Sequence, residues 1–410
     1  MLSFKNSFLL TLVLIVVITT SVNANTKALN PTVIPNYTQT KNLTTWRAKL
    51  ATYNVWGLML FSKFKNDRMP KIGEALREQD LDYALLQEAW TTRSRQEIYS
   101  SAGLPFITYS DVNNTVGSGL FSLSKHPYKR HTFMPFTLNG GFGRLWEGEV
   151  FAGKGVSMAT LDINGLPISF FNLHTVARHG LTATDAIEDR YTPERLAQLF
   201  EIFQHIVENV DSDAFVVAGD FNMRWFHTEY KFWKTLTSLS GNTLEEFDKT
   251  TCTSCKDNMF NINPSGQVDY VFVSPKLKII ENKLSYTERF VNKLGVSLNL
   301  SDHYGWVSKI AMNSSKNEFN SVVAKQNTMD ALNFLELRLY RYLNKKGSLD
   351  DEDFPDPFNG IQDRICISCR VRDCIRKVNI YQKVLTPDAQ LTVNQKALKL
   401  RLESYFKLFD

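Results

Sequence analysis

From Leu50 onward the chain alternates short apolar runs, each closed by a polar residue, with longer stretches of helical spacing. Leu50-Ala51-Thr52-Tyr53-Asn54-Val55-Trp56-Gly57 reads as a strand running into a turn, and Asp67 to Gln79 carries Met69, Ile72 and Leu76 on one helical face. Tyr83-Ala84-Leu85-Leu86-Gln87-Glu88 is the next strand, so the fold opens as strand, helix, strand. Gly117 to Ser124 is a further strand, followed by a turn at Lys125-His126-Pro127-Tyr128. Gly155 to Leu161 and Ile168 to Leu173 flank Asn164-Gly165, a dipeptide suited to the left-handed conformations of a tight hairpin. Pro193 to Val210 places Leu196, Leu199, Phe200, Phe203 and Ile206 on one face of a helix that Pro193 can open. Val216-Val217-Ala218-Gly219 then runs into Asp220-Phe221-Asn222, Val268 to Val273 is another strand, and Leu300 to Trp306 introduces the last. In an extended chain residues i and i+2 share a face, so Asp220 and Asn222 are expected to face one cleft while Phe221 turns into the core.

The flanks differ in character. Lys5 precedes an apolar run from Phe8 to Ile18 that ends in Val22-Asn23-Ala24, the layout of a signal peptide over residues 1–24; the alternative is an uncleaved membrane anchor. Cleavage implies a secreted or periplasmic protein. Residues 25–47, rich in Asn and Thr, read as a linker, residues 48–312 as one large domain, and residues 313–410 as a helical appendage. The basic stretch from Arg364 to Lys377 in that appendage reads as a solvated face rather than a lipid contact. Five cysteines, at Cys252, Cys255, Cys366, Cys369 and Cys374, suit an oxidising compartment better than a zinc site, because the two C-x-x-C pairs lie far apart in the chain. A net charge of +5 over 410 residues gives no argument for a nucleic-acid partner.

The polar residues that close the strands are Asn54, Glu88, His174, Asp220, Asn222, Asp269, Asp302 and His303. Polar groups at the ends of apolar runs are costly to bury unpaired, and so many at corresponding ends implies one shared cleft. Carboxylates, amides and imidazoles without cysteine suit a hard, oxygen-preferring cation such as Mg2+, with Glu88 and Asn54 as its hold. His303 would take a proton from water if a carboxylate such as Asp269 fixed its tautomer, and His174 and Asn222 would stabilise charge on a phosphate. Metal-assisted phosphodiester hydrolysis is the chemistry these groups fit. Lys154, set between Gly153 and Gly155, is a further candidate phosphate contact.

The ordered motifs Tyr53-Asn54-Val55-Trp56-Gly57, Leu86-Gln87-Glu88, Asn172-Leu173-His174, Gly219-Asp220-Phe221-Asn222, Val268-Asp269-Tyr270-Val271 and Ser301-Asp302-His303 resemble those of the endonuclease/exonuclease/phosphatase superfamily. Asp67-Arg68-Met69, Leu85-Leu86-Gln87-Glu88-Ala89-Trp90 and Ser124-Lys125-His126-Pro127 are similar to its neutral sphingomyelinase branch. The resemblance implies a deoxyribonuclease-like α/β fold, a four-layer sandwich of two facing mixed β-sheets flanked by helices. It implies magnesium at Glu88, water attack assisted by His303, phosphate contacts from Asn222 and His174, and Asp220 and Asp302 as further catalytic acids, with Asp269 orienting. The implied substrate is sphingomyelin or a related choline phospholipid, met at a membrane surface by a monomer with no stable nucleic-acid partner. A secreted nuclease, a phosphoinositide phosphatase and a catalytically silent lipid-binding module are the alternatives. Glu149 stands five residues before Lys154 where animal members usually carry Asp. The aromatic stretches Trp56 to Phe64 and Trp225 to Trp233 are the candidates for a lipid-facing surface.

Overall fold

A computed structural model describes residues 45–313 except 59–61, 111–115, 137–148, 150–151, 179–188, 190, 211–213, 240–243, 245, 247–250 and 262–263. The signal segment, most of the linker and the appendage thus lie outside the described residues, as do Cys366, Cys369 and Cys374.

A six-stranded sheet has the order β10-β13-β1-β2-β4-β3, with β1 at Arg47–Asn54, β2 at Tyr83–Gln87, β3 at Phe106–Tyr109, β4 at Phe121–Ser124, β10 at Leu277–Ser285 and β13 at Gly305–Met312. A five-stranded sheet, β5-β6-β7-β8-β9, holds β5 at Tyr128–Pro135, β6 at Gly155–Ile163, β7 at Leu166–His174, β8 at Phe215–Asp220 and β9 at Asp269–Val273. A small hairpin pairs β11 (Arg289–Val291) with β12 (Ser297–Asn299). Helices α1 (Lys65–Glu78) and α2 (Thr92–Ala102) accompany the first sheet, and α3 (Thr192–Asn209) and α4 (Thr228–Leu239) the second.

Alternation along the strands explains the layers. On β1, Leu50 joins the core between the sheets while Ala51 and Tyr53 pack with Met69, Ile72 and Leu76 of α1 and Ile98 of α2. On β8, Val216 and Ala218 join the same inter-sheet core while Val217 packs with Leu196, Leu199 and Phe203 of α3 and Trp233 of α4. Both faces of these strands are buried, so they read as continuous apolar runs rather than alternating ones. The result is the expected four-layer sandwich. The β6–β7 turn has Asn164 at φ 54° and Gly165 at φ 87°, as its dipeptide predicts.

The domain begins slightly earlier than residue 48. Trp46 is buried in the inter-sheet core, and its indole N–H donates to Ile163 O at 2.7 Å. The second aromatic stretch is corrected more sharply. Tyr230, Phe232 and Trp233 belong to α4 and are buried against the second sheet, so only Trp225 of that stretch is a large exposed apolar side chain.

A candidate active site at the edge of the two sheets

The inward parity of the strands carries past the apolar residues into polar ones. Asn54 follows Leu50 and Thr52, Gln87 follows Tyr83 and Leu85, and Asn172 and His174 follow Ile168 and Phe170. Gln87 Nε2 donates to Asn172 Oδ1 at 2.8 Å, and Asn172 Nδ2 donates to Leu86 O at 3.1 Å, which pins the sheets together beneath the cleft. Since β1 and β2 are parallel, as are β7 and β8, their C-terminal ends reach one edge. β9 and β13 run antiparallel to β8 and β1, so they bring their starts, Asp269 and the Asp302-His303 segment, to that same edge.

Two residues arrive by another route. Glu88 and Asn222 lie just past the ends of β2 and β8 with φ of 61° and 48°. Asn222 is therefore left-handed rather than extended, and this turn, not strand alternation, brings it to the cleft beside Asp220. Phe221 does enter the core as expected, against Trp233, Tyr270 and Phe272. Two glycines permit the close approach. A Cβ on Gly219, at φ 150°, would stand 2.1 Å from Leu173 O, and one on Gly57 would stand 2.3 Å from Glu88 O.

The cleft is lined by Trp56, Leu58, Glu88, His174, Asp220, Asn222, Asp302 and His303, with Arg178, Arg224, Ser254 and Pro264 on its outer wall. His303 Nδ1 donates to Asp269 Oδ2 at 2.8 Å, and its Nε2 lies 3.9 Å from Asp220 Oδ2. Burial opposes the charged imidazole, but the carboxylates of Asp269, Asp302 and Asp220 outweigh it and hold His303 well above the usual histidine range. Asp220 accepts from Asn54 Nδ2 at 3.0 Å and from the Asn222 N–H at 2.9 Å. Asn54 Nδ2 also donates to Glu88 Oε1 at 3.0 Å, while Asn54 Oδ1 accepts from Trp56 N–H. One amide thus joins the two acids across the sheets. Asn222 donates one amide hydrogen to Thr175 O at 3.1 Å.

His174 is buried, and burial together with the charge of Lys154 holds its pKa well below the ordinary value. Its Nε2 lies 3.3 Å from Lys154 Nζ and 3.6 Å from Asp220 Oδ2. Lys154, the further candidate for a phosphate contact, lies deeper than the cleft wall. It is buried behind His174, bonded to Glu149 at 2.8 Å and Thr175 O at 3.0 Å, and is not among the cleft-lining residues. The Glu149–Lys154 pair is intact despite Glu in place of Asp.

The acids fit a divalent cation. Glu88, Asp220 and Asp302 all have raised pKa values, in each case chiefly from burial, with Asp302 pushing up Glu88 and Asp269 pushing up Asp220. Glu88 Oε2 is buried with no hydrogen-bond partner. A second grouping, Asp220, Asp269 and His303, also has ligand atoms within 4.8 Å of one another. There Asp269 Oδ2 already holds His303 Nδ1, whereas Glu88 has Oε1 fixed by Asn54 Nδ2 and Oε2 without a partner.

Several residues of the cleft escaped the strand-end logic. Arg68 is fully buried and donates to the carbonyls of Lys63, Val55, Leu300 and Trp56, bracing the loops on that side. Its guanidinium lies 4.9 Å from the Trp56 ring. Arg178 and Arg224 line the wall and meet at His227, whose Nδ1 lies 3.0 Å from both Arg178 Nη1 and the Arg224 N–H. Their closeness in sequence to His174 and Asn222 was the available signal.

Comparison with known proteins agrees with this geometry. The chain is 31% identical over 291 residues to an inositol phosphosphingolipids phospholipase C of Schizosaccharomyces pombe, covering 62% of this chain and 66% of that one. It is 30% identical over 179 residues to sphingomyelin phosphodiesterase 2 of Homo sapiens, covering 43% of this chain and 41% of that one. The chain thus spans less than two thirds of either relative. Crystal structures of SmcL and of beta toxin from Staphylococcus aureus share the fold, each at a TM-score of 0.50, with 19% and 20% identity over 65% and 64% of this chain and 99% of theirs. A model of the Endonuclease/Exonuclease/phosphatase family matches residues 51–303, more than half of the sequence, and the chain belongs to that family.

Proposed function

We propose that this chain is a magnesium-dependent phospholipase C that hydrolyses the phosphodiester of sphingomyelin, or of a closely related phosphosphingolipid, to ceramide and a phosphorylated headgroup. The observation that carries the reading is the His303–Asp269 bond of 2.8 Å, set in a cleft opposite the partnerless oxygen of Glu88. The activities for which the fission yeast and human relatives are named support the substrate class.

Asp269 accepts the Nδ1 hydrogen of His303 and so leaves the Nε2 lone pair facing the cleft. His303 Nε2 takes a proton from water as the water oxygen bonds to phosphorus, the bond from phosphorus to the ceramide oxygen breaks, and that oxygen takes a proton from solvent to leave as the ceramide hydroxyl. Asn222 has a second amide hydrogen for a phosphate oxygen. Asp220 holds Asn54 and the Asn222 backbone in place and faces Nε2. Magnesium held by Glu88, whose Oε1 Asn54 fixes through its amide N–H, would neutralise phosphate charge and orient the ester.

The lipid-facing surface is read differently from the sequence. Val291, Leu294 and Val296 at the β11–β12 hairpin are 67%, 79% and 37% exposed, and Lys293 stands among them. The hairpin base adjoins exposed Met259, whose N–H donates to Asn299 Oδ1 at 3.1 Å. The next residue, Phe260, packs on cleft-lining Trp56 at a centroid distance of 5.0 Å. An apolar path therefore runs from hairpin to cleft, as an enzyme working at a bilayer requires. The Cys252–Cys255 disulfide supports export to an oxidising compartment.

The test is release of phosphocholine from sphingomyelin vesicles by purified protein. Full activity with magnesium, its loss on chelation, and a fall of ~100-fold or more in kcat for His303→Ala and Glu88→Gln are expected, the size of a lost acid–base or charge-stabilising group. Unchanged turnover in either variant would remove the assigned roles.

A further inference from the structure

Thr253 takes no part in the chemistry above, yet it is fully buried beside it. Its hydroxyl oxygen accepts from the backbone N–H of Val268 at 3.0 Å and of Asp269 at 3.2 Å. Its carbonyl accepts from the N–H of Tyr304, the residue after His303, at 2.7 Å. One residue therefore holds the backbone on both sides of the bond that joins Asp269 to His303. The anchor is itself tied down. The N–H groups of Thr253 and Ser254 donate to Gly266 O at 3.1 and 3.0 Å, Ser254 O accepts from the Gly266 N–H at 3.0 Å, and the Cys252–Cys255 disulfide closes around the pair.

The chemistry of the position is selective. A hydroxyl offers two acceptor lone pairs, and both are directed to strand-start amides here. Valine has nearly the same shape but no acceptor, and would leave two buried N–H groups without partners. Displacements on the order of 1 Å at such a site cost about 100-fold in rate, because the lone pair of a base must meet the proton it takes.

We propose that Thr253 is a positioning residue for the Asp269–His303 pair and that the Cys252–Cys255 disulfide locks it in place. The assignment rests on the reading of His303 as the base. It acts through His303 alone, so its effect disappears when His303 is removed.

The test uses the full chain, with magnesium and vesicles of sphingomyelin in phosphatidylcholine. Thr253→Val lowers kcat about 10- to 100-fold with KM unchanged, as for a misplaced base. Thr253→Ser restores the rate, and the double variant Cys252→Ser/Cys255→Ser shows a smaller loss of kcat. In a His303→Ala background Thr253→Val costs nothing more. Unchanged kcat, an equal loss in the His303→Ala background, or failure of serine to restore the rate would overturn the proposal. If Thr253→Val does not fold, the double-cysteine variant decides the matter: a lowered kcat that costs nothing more in the His303→Ala background upholds the proposal, and an unchanged kcat overturns it. If the wild type cleaves no phosphodiester, the functional reading fails, while the clamp is still read by proton magnetic resonance. Slow-exchanging Val268, Asp269 and Tyr304 amides and a His303 Nδ1–H signal that moves in Thr253→Val uphold it; fast exchange of those amides in the wild type overturns it.

Discussion

In the proposed mechanism His303 can serve as a base in only one tautomer, and the carboxylate of Asp269 selects it. The same carboxylate raises the pKa of the imidazole, so its two effects on rate oppose each other at any pH below that raised pKa. Activity needs neutral His303 and is lost as pH falls through its pKa. Asp269→Asn removes the nearest raising charge, so the acid limb of kcat/KM moves to lower pH. Because the tautomer is then unheld, the plateau of kcat falls, by ~100-fold or more on the scale of acid–base catalysis. A pH–rate profile of the two proteins checks both; an acid limb moving to higher pH would contradict the assignment. Residue types at the strand ends were enough to single out Asn54, Glu88, His174, Asp220, Asn222, Asp269, Asp302 and His303, because polar groups stand out against apolar runs. Thr253, Arg178 and Arg224 were not legible in the same way. They lie in loops, where polar residues are ordinary, and only the fold brings Arg178 and Arg224 to the cleft and Thr253 behind Asp269.

At the scale of elements, legibility followed burial. Central strands β1, β2, β7, β8 and β9 are buried on both faces and stood out as apolar runs. β3, β5 and β10 are partly exposed along most of their length, carry mixed sequence, and gave no such run. Helix α4 was misread because its aromatics resemble an interfacial cluster, whereas Tyr230, Phe232, Trp233 and Leu236 pack together into the core. The hairpin β11–β12 was missed for its shortness, yet it bears the exposed apolar tip. Leu294→Asp there should lower the rate on sphingomyelin vesicles by about 10- to 100-fold, the worth of burying one leucine, while leaving hydrolysis of a short-chain, micellar or monomeric substrate unchanged. Parallel assays on both substrates check this, and an equal loss on both would place the hairpin elsewhere in the mechanism.

Over the whole molecule, two sheets packed face to face bring the ends of strands from separate parts of the chain to one edge, and the same packing buries most of each acid gathered at the cleft there. Burial raises Glu88, Asp220 and Asp302 together, which a bound cation relieves. Substrate choice separates this reading from a nuclease built on the same fold, because the chemistry at phosphorus is shared. The direct measurement is a side-by-side assay of purified protein, with magnesium and with chelator, on sphingomyelin vesicles and on DNA. Magnesium-dependent phosphocholine release with DNA left intact is the predicted result; DNA cleavage with sphingomyelin untouched would contradict it.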